Sequence, residues 1–175
     1  MAALIFILQA LFNLVIWAFL LRVLLPLCRA DARNPLSQGI IRFTNPVVMP
    51  LRRVLPAFGR VDGGSLVALL LVQLVSTAVV LLLRGIHPSL LVLTLSAART
   101  LLDTLLQFYF FALLIYALLS WVAPGTYSPA SNILQSLCTP VLRPFQRLIP
   151  PLGGLDLSVV FAMIAIQALR ILLNS

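Results

Sequence analysis

At 175 residues the chain has the length of one domain, but 62% of its residues are hydrophobic and 9% charged, with no lysine and no glutamate. Soluble domains carry roughly 25% charged residues, and a chain this short has too little interior to hide so much apolar surface from water. With a mean hydropathy of +1.13, it is read as an integral membrane protein. The formal net charge of +8 could mark a nucleic-acid binder. The arginines gather instead around one polar stretch of an apolar chain, which fits cationic side chains facing anionic lipid headgroups and argues against nucleic acid.

Residues 1–27 form the first apolar run, longer than the roughly 20 residues that cross a bilayer. A signal peptide would need a basic leading region and a shorter apolar stretch, so the run is expected to remain as a membrane helix. Arg22, near its end, is expected to snorkel toward the headgroups. Gln9 and Asn13 lie one helical turn apart on one face. Amides at such depth serve as glue to a neighbouring helix or line a polar pathway, and the first is the better reading.

The polar stretch 34–62 follows, with Pro35, Pro46, Pro50 and Pro56 among Arg42, Arg52, Arg53 and Arg60. Between them Ile40, Phe43, Val47, Leu51, Val54 and Phe58 recur at helical spacing. Asn45-Pro46 reads as an N-cap with proline at the first helical position, and Pro50 falls one turn in, where proline distorts a helix. The stretch is therefore expected to form two short amphipathic helices broken at Asn45-Pro46 and lying in the membrane interface; a shallow re-entrant loop is the rival. Asp62 is placed at the start of the next helix, favoured by its positive dipole end. That helix, 66–83, carries Gln73 near its middle.

A turn, RGIHPS, connects to the second half. Its His87 is the only histidine, which removes a histidine-rich metal site. Residues 90–104 are expected to be helical and to lead into a third membrane helix, 105–122, ending at the interfacial aromatic Trp121. A second polar stretch, 128–156, and a fourth membrane helix, 157–173, complete the chain.

The second polar stretch is a copy of the first. At an offset of 94 residues and without gaps, Pro35, Ser37, Pro46, Pro50, Arg53, Pro56, Gly59 and Asp62 fall on Pro129, Ser131, Pro140, Pro144, Arg147, Pro150, Gly153 and Asp156. Thr139-Pro140 repeats the Asn45-Pro46 step. In the apolar runs Gln9 falls on Asp103, Asn13 on Gln107 and Gln73 on Gln167. The units are residues 1–81 and 95–175, joined by 82–94, and an internal duplication sets the architecture. The fold class expected is an all-α membrane protein with four transmembrane helices as two parallel tandem repeats. In each, a helix is followed by interfacial broken amphipathic helices and a second helix. The glutamines repeated at one depth suggest halves meeting about a pseudo-two-fold axis. Arg22, Arg29, Arg33, Arg42, Arg52, Arg53 and Arg60 put the polar stretches in the cytoplasm and both termini outside. Cys28 and Cys138 are not equivalent under the offset and belong to no CxxC pattern, so they read as packing residues, not metal ligands.

The doubled pattern, NPLSQ…TNPVVMPLRRVLP…GRVD…Q and SPASN…TPVLRPFQRLIP…GGLD…Q, resembles the YggT family over essentially the whole chain. Its specific part is the TNP-x3-P-x-RR-x2-P core followed by aspartate; the second copy departs from it, with Thr139 for Asn45 and Gln146-Arg147 for the paired arginines. The resemblance implies a small bacterial inner-membrane protein. It also implies relatives linked to osmotic-stress tolerance and potassium uptake, and chloroplast relatives linked to haem attachment and nucleoid distribution. Such diverse roles suggest a scaffold or assembly factor, and the resemblance carries over no catalytic residue.

Two functions follow. In the first, Arg42, Arg52, Arg53, Arg143 and Arg147 on the two proline-broken segments bind anionic lipid or a membrane-protein partner. The repeated Asn45, Pro46, Pro50, Pro56 and Asp62, with Thr139, Pro140, Pro144, Pro150 and Asp156, provide the framework. In the second, Gln9, Asn13, Gln73, Asp103, Gln107 and Gln167 line the pathway of a small, homo-oligomeric transporter or channel component for an ion or osmolyte. No nucleophile is paired with a base in a recognisable motif, so an enzyme is not expected, nor is a cofactor.

Overall fold

In a computed structural model the described residues are 2–55, 62–122, 128–148 and 156–175. They form six helices and no strand: α1 (Ala2–Leu27), α2 (Pro35–Arg52), α3 (Gly63–Leu83), α4 (Leu90–Val122), α5 (Pro129–Leu148) and α6 (Ser158–Asn174). The all-α expectation holds. Three helices are long and apolar enough to cross a membrane: Ala3–Leu27, Gly63–Leu83 and Leu90–Ser120. The apolar α6 is shorter, with 17 residues, or about 25 Å of helix. The expected segments 90–104 and 105–122 are one continuous helix of 33 residues.

The helices start and stop where local chemistry allows. Helix α1 ends in a Schellman turn, with the Ala30 N–H bonded to Leu25 O at 2.9 Å and the Arg29 N–H to Pro26 O at 3.3 Å. Arg29 takes the left-handed position at φ 56°, one that glycine occupies more cheaply. Gly85 takes the equivalent position after α3, at φ 75°. Asn34 caps α2 by accepting the Leu36 N–H at 3.0 Å, and Ser128 caps α5 by accepting the Ser131 N–H at 3.1 Å. Each cap precedes a proline, at Pro35 and Pro129, where the missing N–H costs nothing.

These caps correct the expectation of a break at Asn45-Pro46 and Thr139-Pro140. Helix α2 runs unbroken through Pro46 and Pro50, and α5 through Pro140 and Pro144. All four prolines lie on exposed positions. Nor is Asn45 a cap: its Oδ1 accepts a hydrogen bond from Arg22. Thr139 donates back to Gln135 O within its own helix. Pro56, Phe58, Gly59, Arg60, Pro150 and Gly153 lie outside the described residues.

The chain divides into two compact units that do not coincide with the two halves of the sequence. One comprises Met1–Val23 with Ile40–Thr104, the other Leu24–Gly39 with Leu105–Ser175. In the first, Ile16, Phe19 and Leu20 of α1, Val48 of α2 and Ala68 and Leu69 of α3 are buried. In the second, Ala112, Leu113 and Ala117 of α4, Cys138 and Leu142 of α5 and Val159, Ala162 and Ile166 of α6 form a core. Alanines at three of these positions let helices approach closely, the packing that operates where lipid removes the hydrophobic drive between helices. Much of the apolar surface faces outward, as with Phe6 (71% exposed) and Leu172 (74%).

In the first unit the start of α3 lies against the end of α2. A Cβ at Gly64 would stand 2.8 Å from Arg52 Cγ and 3.0 Å from Arg52 N, so that approach requires glycine. Gly64→Ala is expected to lower stability by about 1–3 kcal/mol through overpacking, measured by thermal unfolding in detergent. A variant as stable as the parent would show that the two helix ends are free to separate.

Candidate functional site

The first unit is built around Arg22. Its position in an apolar helix suggested a side chain reaching out to the headgroups, but it is 5% exposed. The guanidinium points inward and is satisfied by two neighbouring helices. Nη1 donates to Ile41 O at 2.8 Å, Asn45 Oδ1 at 2.9 Å and Thr44 Oγ1 at 3.0 Å. Nε donates to Ser65 Oγ at 3.3 Å. A cation within an apolar span is costly unless paired or bonded to carbonyls, and here three oxygens of α2 and one of α3 serve. Thr44 itself donates to Ile40 O at 2.7 Å, so its oxygen is oriented toward the arginine by its own backbone bond.

Ser65 continues the network by donating to Asp62 Oδ2. The same oxygen accepts from Arg52, with Nη2 at 2.5 Å and Nε at 2.8 Å. Asp62 stands at the N-cap of α3 but makes no side-chain capping bond, because its carboxylate is turned to Arg52. Burial pushes the Asp62 carboxyl up, but hydrogen bonds from Arg52 and Ser65 and the charges of Arg52 and Arg22 outweigh it and hold it below the usual carboxylate range. The result is a chain of contacts, Arg22–Ser65–Asp62–Arg52, that pins α1, α2 and α3 together. Within it the Ser65 hydroxyl is fully buried and is bonded both to Asp62 and to Arg22. The arrangement holds position.

The second unit lacks this centre. At the offset of 94 residues Tyr116 stands for Arg22, Cys138 for Thr44, Thr139 for Asn45 and Val159 for Ser65. Cys138 and Val159 belong to the apolar core and Tyr116 packs against it. Burial pushes the Cys138 thiol up to about 12, which keeps it protonated and unreactive. The aspartate survives: Asp156 Oδ2 accepts from Gln146 Nε2 at 2.8 Å, and Oδ1 accepts from the Ser158 N–H at 3.1 Å and from the Ser158 hydroxyl. Gln146 thus replaces Arg52 as a neutral donor. The tie to the aspartate is common to both repeats, and the cationic donor belongs to the first alone.

The remaining predicted residues are spread out. Arg42 and Arg53 of the first polar stretch and Arg143 and Arg147 of the second are exposed. On α2 the inward positions are Ser37, Thr44 and Val48, whereas Phe43 and Val47 of the expected apolar stripe, and Val54 beyond the helix end, are exposed. Gln73 is 1% exposed, and its Nε2 donates to Thr77 Oγ1 at 3.1 Å, one turn along the same helix. Its counterpart Gln167 is exposed, so a glutamine buried at one depth in both copies, the basis for the pseudo-two-fold axis, is not found. Gln9, Asn13, Asp103 and Gln107 are half-buried. Gln9, Asn13, Gln73 and Asp103 belong to one unit, Gln107 and Gln167 to the other. No group of three or more histidine, cysteine or carboxylate side chains could hold a metal among the described residues. The sequence does not single out Thr44 and Ser65, and it marks Arg22 only as a residue directed to the headgroups. The available signal was a lone arginine in an apolar run followed by a Thr-Asn pair.

The family model described as CCB3/YggT matches residues 1–83 and 95–175. An uncharacterized protein of Pseudomonas aeruginosa is 44% identical over 97% of this chain and 87% of its own length. The uncharacterized protein YggT of Escherichia coli is 32% identical over 97% of this chain and 88% of its own. The chloroplastic YlmG homolog protein 2 of Arabidopsis thaliana is 40% identical over 36% of this chain and 25% of its own. No solved structure matches.

Two outcomes follow from the arginine centre. Arg22→Leu strands the oxygens of Thr44, Asn45 and Ser65 and is expected to cost about 3 kcal/mol. Adopting the second repeat's residues, Arg22→Tyr with Thr44→Cys and Ser65→Val, should recover part of that loss; thermal unfolding in detergent reads both. The Asp62 tie also gives a pH dependence. A carboxyl held below its unfolded value stabilises the fold above that value, near 3.8, and the contribution is lost as pH falls through the folded value. The melting temperature should therefore fall more steeply below about pH 4 in the parent than in Asp62→Asn.

Proposed function

Because this chain belongs to the CCB3/YggT family, we propose that it is a non-enzymatic scaffold or membrane-integrity factor of the bacterial inner membrane. Its α2 segment lies on the cytoplasmic headgroup layer, where it binds anionic lipid and presents a surface for assembling a membrane-protein partner. Four crossings in two parallel repeats, with α6 as the fourth, and both termini outside complete this reading. Tolerance of osmotic stress is the cellular role it fits best.

One observation carries the proposal. Helix α2 turns its hydroxyl-bearing face inward and exposes Phe43, Val47 and Met49 beside Arg42 and Arg53. Outward apolar side chains flanked by cations suit a helix lying at the boundary between acyl chains and headgroups. Each arginine near an anionic surface contributes roughly 1 kcal/mol. Arg52 is not part of that face's grip, since it is committed to Asp62. Its role is to hold α2 against α3.

The test separates the two kinds of arginine. Arg42→Ala with Arg53→Ala should leave the protein in the membrane fraction and leave its melting temperature unchanged. Phosphatidylglycerol retained by the protein in nanodiscs, read by native mass spectrometry, should fall several-fold. Unchanged lipid retention would refute the α2 reading. Flux through liposomes holding the purified protein, abolished by Gln73→Leu, would favour a transporter.

A further inference from the structure

The second unit contains an open cleft of about 570 Å³, a volume in the range of small-ligand sites. Its walls are the turn after α1 and the outward face of α5, and its polar lining includes Arg29, Arg143, Asn132 and Gln135. We propose that this cleft binds a phosphate-bearing anion, gripped by Arg29 from the turn and Arg143 from α5. The proposal concerns a surface other than the α2 face and does not rest on that reading.

The donor chemistry selects the class of ligand. The hydroxyls of Ser136 and Thr139 in the lining donate to Asn132 O and Gln135 O of their own helix. The lining's donors toward a ligand are therefore two guanidiniums and two side-chain amides, a set suited to an oxyanion. The single carboxylate of the cleft, Asp31, is engaged at Oδ1 by the Arg33 N–H at 2.8 Å. Burial pushes the Cys28 thiol up, so it presents no thiolate to a cation. Asn34 is used within the fold, donating to Pro129 O at 2.7 Å and accepting from Leu36. The first of these bonds ties the turn to the start of α5.

Arg29 carries an independent indication. It occupies φ 56° at the residue closing α1, where glycine costs less than any side chain with a Cβ. A strained conformation kept for a charged side chain at the mouth of a polar cleft points to use of that charge. The apolar span of α1 ends at Leu27, two residues before, so the cleft opens beside the end of a membrane-spanning segment. The phosphate could come from a lipid headgroup or from a soluble phosphate ester, and the two are separable by experiment.

The full chain is placed in phosphatidylcholine nanodiscs and titrated with inorganic phosphate and glycerol phosphate by calorimetry. In parallel, retention of phosphatidylglycerol from mixed nanodiscs is read by native mass spectrometry. Arg29→Gly and Arg143→Gln are compared with the parent. Arg29→Gly is a discriminating variant because glycine suits the backbone, and its melting temperature should be equal or higher. Either soluble phosphate affinity or phosphatidylglycerol retention should fall about tenfold in both variants, as expected on losing a charge-assisted contact. A fall in the first assigns a soluble ester and in the second a lipid headgroup. Absence of binding by the parent, or binding equal in parent and variants, overturns the proposal. Loss in Arg42→Ala with Arg53→Ala but not in the cleft variants overturns it while sparing the α2 face.

Discussion

One guanidinium has to be satisfied inside a helix that is otherwise aliphatic, and the first unit is arranged around that requirement. Arg22 draws its oxygens from outside its own helix, three from α2 and one from α3. Helix α2 must therefore bring Ile41 O, Thr44 and Asn45 to one side, and α3 must begin where Ser65 can reach both Arg22 and Asp62. Gly64 follows from the same geometry, since only a residue without a Cβ lets α3 approach Arg52 this closely. The centre specifies which helix faces meet. Its net energetic gain is small, as desolvation offsets much of the attraction in a buried charged network.

The second unit reaches an equivalent arrangement by packing. Cys138 and Val159 stand where the first repeat has Thr44 and Ser65, and they bury against Ala112, Leu113 and Ala162. A neutral Gln146 holds Asp156 where a cation holds Asp62. Arg143 is exposed on α5 beside a polar cleft. The halves share a framework and differ in chemistry.

The prolines illustrate how local signals mislead in a repeat of this kind. By local chemistry Pro46 and Pro140 mark helix breaks and Pro50 and Pro144 distortions, because each removes an N–H and crowds the preceding turn. All four lie on exposed positions of unbroken helices. The true caps, Asn34 and Ser128, are the same Asn-Pro and Ser-Pro signal one step earlier. Two identical signals compete in each stretch, and tertiary contacts choose between them.

The sequence alone determined the membrane class, the duplication and the helical character, because composition and an ungapped offset of proline, glycine and aspartate need no three-dimensional information. It also determined family membership, through the TNP and paired-arginine core. Tertiary structure decided the direction of each polar side chain. Arg22 reads as a snorkelling residue from its position near the end of a span, and only the placement of Thr44, Asn45 and Ser65, residues 22 to 43 positions away along the chain, turns it inward. Gln73 and Gln167 are indistinguishable in the repeat, yet one is buried and the other exposed. A periodic pattern states which residues share a face, whereas the neighbours packed against that face decide whether it is inside or outside.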